Sequence, residues 1–533
     1  MPDPRTIRPV TARQVAPYFD HLAQIGNVGA RPEEGFLRYS WSDEESAACE
    51  YIRQEAEKVG LEARYDAVGN LYASLPGAWP EIVLTGSHLD SVPKGGNYDG
   101  VAGVVTGLEA IKAIQASGVA LRKGLALVVW RGEEAGTFGQ PYKGCKAAFG
   151  QLPVDFLHNR LGEHVPHPNN RMTLEEAIRS QSHPMTGTPF DPSLIKNGIP
   201  ALSQAERDHI AGFIELHIEQ AKKLETDGDD IGIVTSIRAP ARPLVTLEHP
   251  DYHDGYLARL IVTLSHQANA AIEQGLDLVQ TFSLVNLTHA PLDSELRNCG
   301  KTKVPGYAEV RLNRPYQPLQ ELIETMAHEF NVAIVPERTA EGCLLKIRGS
   351  FDHSGATPMG RAYRRDVNLA AAYLVAHASD ADPALRAVIN YPAPTRATFL
   401  MDIRSRNTAG RDQYVAEVLD TIAAFKQEHD LSGEPPTTEY MPPAEHLDRT
   451  IQQATEAACQ ALGYRYQYLA SGAGHDAAVV AKQTHSDGSP IAVGMIFIPC
   501  RKGKSHSPEE FTTLDAISKG ANVLAQVLYQ LAG

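Results

Sequence analysis

Two apolar segments that each end in acidic or histidine side chains constrain the fold of this chain most strongly. The first, EIVLTGSHLD (81–90), is followed by a glycine-rich turn and by a helix predicted over residues 100–116. The second, GLALVVWRGEE (124–134), ends in two adjacent glutamates. Strands that are apolar throughout and alternate with helices belong in a parallel or mixed sheet covered by helices on both faces. Such sheets bind ligands at the carboxyl ends of their strands, where both clusters fall.

The length and charge of the chain limit the protein classes it can belong to. Its 533 residues exceed what one compact core usually holds, so more than one domain is expected. A formal net charge of −15 argues against nucleic acid or an anionic membrane as a partner. Without a leader-like segment or an apolar run of about 18 residues, we expect a cytoplasmic protein. Its six cysteines lie far apart, which is typical of reduced thiols.

The middle of the chain shows a repeated order of elements. Segments 256–337 and 344–441 both read as strand, helix, two strands, helix and strand, and His266 of the first aligns with His353 of the second. We therefore predict two tandem βαββαβ units of ferredoxin-like type. The alternative is a chance match, since strand–helix alternation is common. The predicted domains are 1–237 and 433–533 as two segments of one α/β domain, with an extra unit over 238–341 and a second unit over 342–432.

Five places in the α/β segments offer side chains that bind metal ions. Imidazole and carboxylate groups together suit zinc, and also manganese, cobalt or nickel. Each place alone is weak evidence, because a single histidine is more often a surface or core residue. Two acids that end an apolar strand, however, are costly unless a positive charge faces them. The five places are His88 with Asp90, Asp99, the Glu133–Glu134 pair, His217 and His506.

Six segments then resemble one enzyme family. They occur in the family's order over nearly the whole chain: GSHLDSVPKGGNYDGVAGV, EEAGTFG, ELHIEQ, GSFDHSGATPMGRAYRRD, SGAGHDA and MIFIPCRKGKSHSPEE. They are similar to the zinc-dependent N-carbamoyl-L-amino-acid hydrolase and allantoate amidohydrolase family, part of the larger two-metal group of aminoacylases and carboxypeptidases. The resemblance implies a split two-metal hydrolase domain with an inserted ferredoxin-like α+β lid, which the repeat would duplicate in tandem.

The resemblance also implies a role for each metal-site residue. Two divalent ions, zinc in the first place, would be bound by His88 and His217 on one side and by Glu134 and His506 on the other, with Asp99 bridging them. Glu133 would act as the general base on a water that the metals activate. Asp90, two residues along the strand from His88, would orient its ring and select its tautomer.

Further residues would bind the substrate. His353 in the lid matches the histidine that stabilises negative charge on the scissile carbonyl, supplied in this family by the partner of a dimer. Arg404 matches the arginine that binds the substrate carboxylate. The remaining matches are Gln220, which would contact the ureido or amide group; Asn390, whose spacing to Arg404 is one residue longer than in the family; and His475, which lies near the site without an assigned role.

Departures from the family pattern leave the substrate open. AGTFG replaces the usual Gly-Ser-Arg-Phe run, and Asp352 stands where an asparagine usually precedes the lid histidine. The first hypothesis is an amidohydrolase that cleaves a C–N bond of an N-carbamoyl-L-amino acid or of a related ureido acid such as allantoate. The alternatives are a dipeptidase or aminoacylase of the wider group, and a catalytically inactive binding protein. The protein would be a homodimer, or a monomer whose doubled lid replaces the second subunit.

Overall fold

A computed structural model describes residues 7–27, 35–161, 172–286, 303–304, 306–314, 319–339, 342–349, 352–353, 364–382, 384–390 and 395–533. The chain divides into two compact units, the first formed by residues 1–237 and 446–533 and the second by residues 238–445. None of the helices in these ranges has the length and apolar character needed to cross a bilayer. The cysteines in these ranges are free thiols, and Cys299 lies outside them.

The first unit is built on a mixed sheet of eight strands. Their order is β1-β2-β4-β3-β5-β18-β6-β17, and the central strands β4, β3, β5 and β18 run parallel to one another. The strands are β1 (Glu62–Tyr65), β2 (Leu71–Ser74), β3 (Ile82–His88), β4 (Gly124–Trp130), β5 (Ile210–Ile218), β6 (Ile231–Ile237), β17 (Tyr466–Ser471) and β18 (Ala492–Ile498). The predicted α/β sheet with apolar central strands is therefore present.

Helices of the first unit pack on this sheet. The two longest, α3 and α15, pack on each other and share one apolar core with the central strands. A smaller core lies around Trp41, Phe138 and Phe190. The helices are α1 (Ala12–Leu22), α2 (Asp43–Lys58), α3 (Val101–Ser117), α4 (Lys143–Ala148), α5 (Leu174–Ser180), α6 (Ser193–Lys196), α7 (Gln204–Asp208), α8 (Lys223–Asp227), α13 (Arg449–Leu462), α14 (Asp476–Val480) and α15 (Leu514–Ala532), with 3-10 turns at Val154–His158 and Arg501–Gly503.

The second unit contains two antiparallel four-stranded sheets and a short ribbon formed by β9 and β13. One sheet has the order β16-β7-β15-β8 and the other β11-β12-β10-β14. The strands are β7 (Ala239–Glu248), β8 (Val279–Val285), β9 (Lys303–Val304), β10 (Tyr307–Leu312), β11 (Ala333–Arg338), β12 (Cys343–Arg348), β13 (Asp352–His353), β14 (Ala387–Ile389), β15 (Arg396–Ser405) and β16 (Thr437–Tyr440). The helices are α9 (Gly255–Glu273), α10 (Leu319–Phe330), α11 (Val367–Ala381) and α12 (Thr408–Glu428).

The described part of the second unit contains the predicted order of elements, but its strands pair across the two halves. Apart from the ribbon, the described elements do follow the order βαββαβ twice, from β7 to β11 and from β12 to β16. Each sheet, however, takes two strands from each half of this segment. A single apolar core includes side chains from both halves, so a boundary at 341/342 divides one packed unit. β16, which follows the predicted boundary at 433, pairs with β7 of the second unit.

The first strand of the predicted repeat is part of a helix instead. Residues 256–266, predicted as a strand, lie within the helix α9. Apolar residues recur there at helical spacing, and Leu257, Leu260, Ile261 and Leu264 are buried on one face. His266 sits in the exposed part of this helix, with its ring 5.8 Å from that of Tyr373. It therefore does not correspond to His353, which lies in β13.

Gly103 lies where α3 packs closely on the sheet, so a substitution at this position tests that packing. A Cβ at this position would lie 2.2 Å from the carbonyl oxygen of Leu216 and 2.8 Å from Cβ of Ser87. We expect Gly103→Ala to destabilise the protein by about 1–3 kcal/mol, because backbone cannot yield cheaply in a filled core. Thermal unfolding followed by circular dichroism measures this change. Gly410→Ala in α12 is the control, since the atom nearest its added Cβ is the end of the Leu276 side chain, 2.9 Å away. An unchanged midpoint for Gly103→Ala would contradict this account of the packing.

Candidate metal centre

The parallel strands at the centre of the first sheet each deliver a potential metal ligand at the same edge. His88 is the last residue of β3 and His217 lies near the end of β5. Glu134 follows β4, and His506 follows β18 after a 3-10 turn. Asp99 lies in the loop between β3 and α3. Because the carboxyl ends of parallel strands share one edge of the sheet, residues more than 400 positions apart are brought together.

Asp99 lies at the centre of two groups of ligand atoms. The first ligand group is His88, Asp99 and His217, and the second ligand group is Asp99, Glu134 and His506. Oδ1 of Asp99 is 3.0 Å from Nε2 of His217 and 3.5 Å from Nε2 of His88. Its Oδ2 is 3.4 Å from Nε2 of His506, which in turn is 3.0 Å from Oε1 of Glu134. All of these residues are buried.

The hydrogen bonds of two histidines show that the donor set fits cations. Nδ1 of His217 lies 2.9 Å from the carbonyl oxygen of Ile218, and Nδ1 of His88 lies 3.1 Å from that of Asp90. A carbonyl only accepts, so each Nδ1 carries a proton and each Nε2 is the ring atom left to bind a cation. Each Nε2 faces the anionic carboxylate of Asp99, so positive charge belongs between them, as a proton on the ring or as a bound cation. Two ligand atoms on one tetrahedral zinc ion lie about 3.4 Å apart, close to the spacings found here.

Asp90 holds both the His88 ring and the segment that carries the two glutamates. Its Oδ1 lies 3.2 Å from Nδ1 of His88 and accepts the main-chain N–H of Glu133 at 2.9 Å. Its Oδ2 accepts the N–H of Glu134 at 3.1 Å and the hydroxyl of Ser40 at 3.0 Å. One buried carboxylate thereby fixes two neighbouring strand ends relative to each other.

Glu133 and Glu134 point to different histidines. Oε1 of Glu134 is next to His506, whereas Oε2 of Glu133 is 4.0 Å from Nε2 of His88. β4 ends at Trp130, so both glutamates lie in the loop after the strand rather than on it. Their divergence therefore comes from the hydrogen bonds of Asp90 to that loop and not from strand alternation.

Gly100 is needed where the loop passes over His88. Its φ of 69° is in the left-handed region, and a Cβ would lie 2.5 Å from Nε2 of His88. Its N–H donates to Nε2 of His217 at 3.2 Å. Only glycine combines this backbone conformation with such a close approach to the imidazoles.

The buried charges shift the pKa values of the site strongly. Burial raises the pKa of Asp99, but the charge and hydrogen bond of His217, with the bonds from His506 and His88, bring it well below its usual value. Burial lowers the pKa of His506, but Glu134 and Asp99 raise it to about 10. Burial raises the pKa of Glu133 well above its usual value, opposed by the charge of His88 and reinforced by that of Glu134. The site holds its acids ionised only where positive charge is adjacent.

Gln220 and His475 both lie beside the ligand groups. Nε2 of Gln220 donates to Oδ2 of Asp99 at 2.7 Å, and the residue has a positive φ of 58°. The His475 ring packs edge-on against that of His217 with centroids 4.5 Å apart. Nε2 of His475 is 2.9 Å from the hydroxyl of Ser471. Gln220 thus contacts a metal-ligand candidate directly, a contact that the motifs did not predict.

The other predicted substrate residues belong to the second unit. Arg404 forms a two-point ion pair with Asp402, with Nε and Nη2 at 2.7 Å and 3.0 Å from the two carboxylate oxygens. The amide of Asn390 donates to the carbonyl of Val285 and to Oδ1 of Asn368, both at 3.0 Å. The side chain of His353 lies outside what the structure describes.

Two buried acids escaped the analysis of the motifs. Glu510 accepts hydrogen bonds from the main-chain N–H groups of both Asp99 and His506. Glu215, on β5, accepts from Ser87 at 2.7 Å and from the N–H of Ala477 at 2.9 Å. A signal existed for Glu215, because an acid within the apolar run FIELHI requires a buried partner. The sequence contains no such signal for Glu510, since an acid in a loop usually faces solvent.

The fold and the site together define a class of protein. A sheet whose parallel strands bring imidazole and carboxylate ligands to one edge is the framework of a metal-dependent hydrolase. The chain belongs to the peptidase family M20/M25/M40, whose model matches residues 84–530. The family identified from the motifs is therefore confirmed. Members of this family depend on metal, and the ligand groups around Asp99 provide candidate positions for it.

Individual relatives cover almost the whole chain. An N-carbamoyl-L-amino acid amidohydrolase of Geobacillus stearothermophilus is 26% identical, with 96% of this chain and 98% of that protein covered. An allantoate amidohydrolase of Bacillus subtilis is also 26% identical, with 96% and 97% covered. A crystal structure of a hydantoinase/carbamoylase family amidase from Burkholderia ambifaria matches with a TM-score of 0.65 at 21% identity, covering 99% of each chain. This structural match supports the fold.

Replacing His506 tests the second ligand group. We expect His506→Ala to retain one zinc ion per chain where the unaltered protein retains two, because the first ligand group keeps all of its side chains. Metal analysis by mass spectrometry after dialysis against micromolar zinc measures the ratio. His209→Ala, an exposed histidine of the same unit, is the matched control. Retention of two ions by His506→Ala would remove this histidine from the metal centre.

Proposed function

We propose that this protein is a binuclear metal-dependent amidohydrolase that cleaves a C–N bond of an N-carbamoyl-L-amino acid or of a related ureido acid such as allantoate. The observation that carries the proposal is the pair of ligand groups that share Asp99, with the carboxylate of Glu133 beside them. The names of the relatives, two N-carbamoyl-L-amino-acid amidohydrolases and two allantoate amidohydrolases among them, support this choice of substrate class.

The proposed metal centre uses the two ligand groups as they lie. His88 and His217 would hold one ion, Glu134 and His506 the other, and Asp99 would contact both through its separate oxygens. Zinc is the first choice for this mixture of imidazole and carboxylate, with manganese, cobalt or nickel also compatible. When bound, two dications lower the pKa of water and polarise the carbonyl of the substrate.

Glu133 is proposed as the general base. It adjoins the first ligand group without belonging to either group. In hydrolysis its carboxylate takes a proton from the attacking water and returns it to the departing nitrogen. One water is consumed and one C–N bond is broken. Burial, which raises the pKa of this carboxyl, helps it to hold the proton between the two steps.

The remaining roles are proposed from the motifs. His353 would stabilise negative charge on the scissile carbonyl, and Arg404 would bind the substrate carboxylate. Both donor hydrogens of the Asn390 amide are used inside that unit, so its contribution would be to support the β8–β14 region rather than to bind substrate. Gln220 would orient Asp99 in addition to any contact with a ureido group.

Ammonia release tests the proposed reaction. The zinc-loaded protein is incubated with N-carbamoyl-L-amino acids and allantoate, while dipeptides and N-acetyl amino acids are assayed in parallel for free amine. We expect ammonia from a ureido substrate, its loss with a chelator, and its recovery on addition of zinc or manganese. Amine release from peptides or acylamino acids without any ammonia would instead assign the protein to the dipeptidase or aminoacylase side of the family.

Replacing Glu133 separates catalysis from metal binding. We expect Glu133→Gln to keep two zinc ions per chain but to lower kcat at least 100-fold, because the amide cannot accept the proton from water. Metal analysis and steady-state kinetics on the same preparation check both parts. Glu44→Gln, in the first turn of α2, is the control. Activity within threefold of the unaltered protein would exclude Glu133 as the base.

A further inference from the structure

Glu510 is a buried carboxylate that joins two loops of the metal centre. Only 5% of its surface is exposed. Its Oε1 accepts the main-chain N–H groups of Tyr98 at 2.8 Å and of Asp99 at 2.9 Å, and its Oε2 accepts the N–H of His506 at 3.3 Å. Residues 99 and 510 are 411 positions apart in the sequence. One side chain therefore holds the backbone of Asp99, which both ligand groups share, and of His506, which belongs to the second ligand group alone.

This position requires a carboxylate side chain. Three N–H donors point to it, and only a carboxylate accepts at both of its terminal atoms. Glutamine would replace one acceptor with an N–H₂ group that faces a donor. Gly96 leaves the space that the carboxylate occupies, because a Cβ there would lie 2.2 Å from Cδ of Glu510.

The two ligand groups depend on Glu510 to different degrees. His88 and His217 lie on β3 and β5, and strand pairing fixes both backbones, since His88 pairs with Trp130 of β4 and His217 with Phe497 of β18. His506 lies in a loop, with a positive φ of 55°, and no strand pairing fixes its backbone. The main-chain N–H of His506 is instead held by Glu510.

We infer that Glu510 is a positioning residue that sets the separation of Asp99 and His506, and thereby the affinity of the second ligand group for its cation. The inference rests on the proposed metal centre. Partners that orient metal ligands typically contribute 10–100-fold to metal affinity. The ion held by the second ligand group should therefore be the one that responds to a change at residue 510.

Zinc titration of Glu510→Gln tests the inference, with Glu509→Gln as the matched control. The Glu509 side chain is 67% exposed and forms an ion pair with Lys504. Isothermal titration of the metal-free proteins, with metal analysis after dialysis, should show two sites in the unaltered protein and in Glu509→Gln. In Glu510→Gln one site should keep its affinity while the other weakens 10–100-fold. Excess zinc should then restore occupancy of the weakened site, which a purely folding role for Glu510 would not predict.

Gly96→Ala provides a second route to the same result. Its Cβ would press on the carboxylate of Glu510 without removing a charge, so the same selective loss of one site is expected. If Glu510→Gln does not fold, zinc titration of Gly96→Ala still tests the inference. Wild-type affinity at both sites in these variants, or equal weakening of both sites, would overturn the inference. Absence of zinc binding by the unaltered protein would instead reject the proposed metal centre itself.

Discussion

The carboxylate of Asp99 is surrounded by three imidazoles, and the rest of the site is arranged around that contact. His88 and His217 lie beside one oxygen and His506 beside the other. Because the Nδ1 atoms of His88 and His217 donate to carbonyls, their Nε2 atoms face the anion. Positive charge must lie between them. This requirement links the buried acids, the tautomers of the histidines and the metal dependence of the family into one constraint.

The cost of burying so many charges is met by hydrogen bonds to the loops that follow the strands. Asp90 accepts the N–H groups of both glutamates after β4. Behind them, Arg131 pairs with Glu45 at 2.7 Å, and Glu45 also accepts the N–H of Gly132 at 2.8 Å. Buried charges that are paired or accept several N–H groups are tolerated where isolated ones are not. The loop after β4 is therefore rigid because of its electrostatics as much as its packing.

The second unit is held together by strand pairing between the two halves of one chain segment. β7 and β8 share a sheet with β15 and β16, while β10 and β11 share one with β12 and β14. Neither half contains a complete sheet, and one core unites them. The two halves must therefore fold together, and a boundary drawn in the middle of the segment cannot give independent domains.

Much of the first unit could be predicted from local sequence. The apolar runs that became β3 and β4, and the side chains at their ends, indicated where a ligand would bind, because strand-end chemistry in parallel sheets depends on short segments. The motifs indicate the family and the candidate metal ligands, which are His88, Asp99, Glu134, His217 and His506. The grouping of these five side chains around one carboxylate is what the tertiary structure added.

Tertiary structure alone decided what depends on long-range pairing. Residues 256–266 are rich in β-branched and aliphatic side chains and looked like a strand, yet packing of one apolar face makes them part of α9. Strand exchange in the second unit leaves no trace in the order of elements, since both arrangements read as βαββαβ twice. The sequence likewise does not indicate the role of Glu510, because that role arises only when two loops 411 residues apart are brought within hydrogen-bonding distance. Composition and spacing thus determined the chemistry available at the strand ends, whereas the partners of each strand and buried acid were set by contacts between segments remote in the chain.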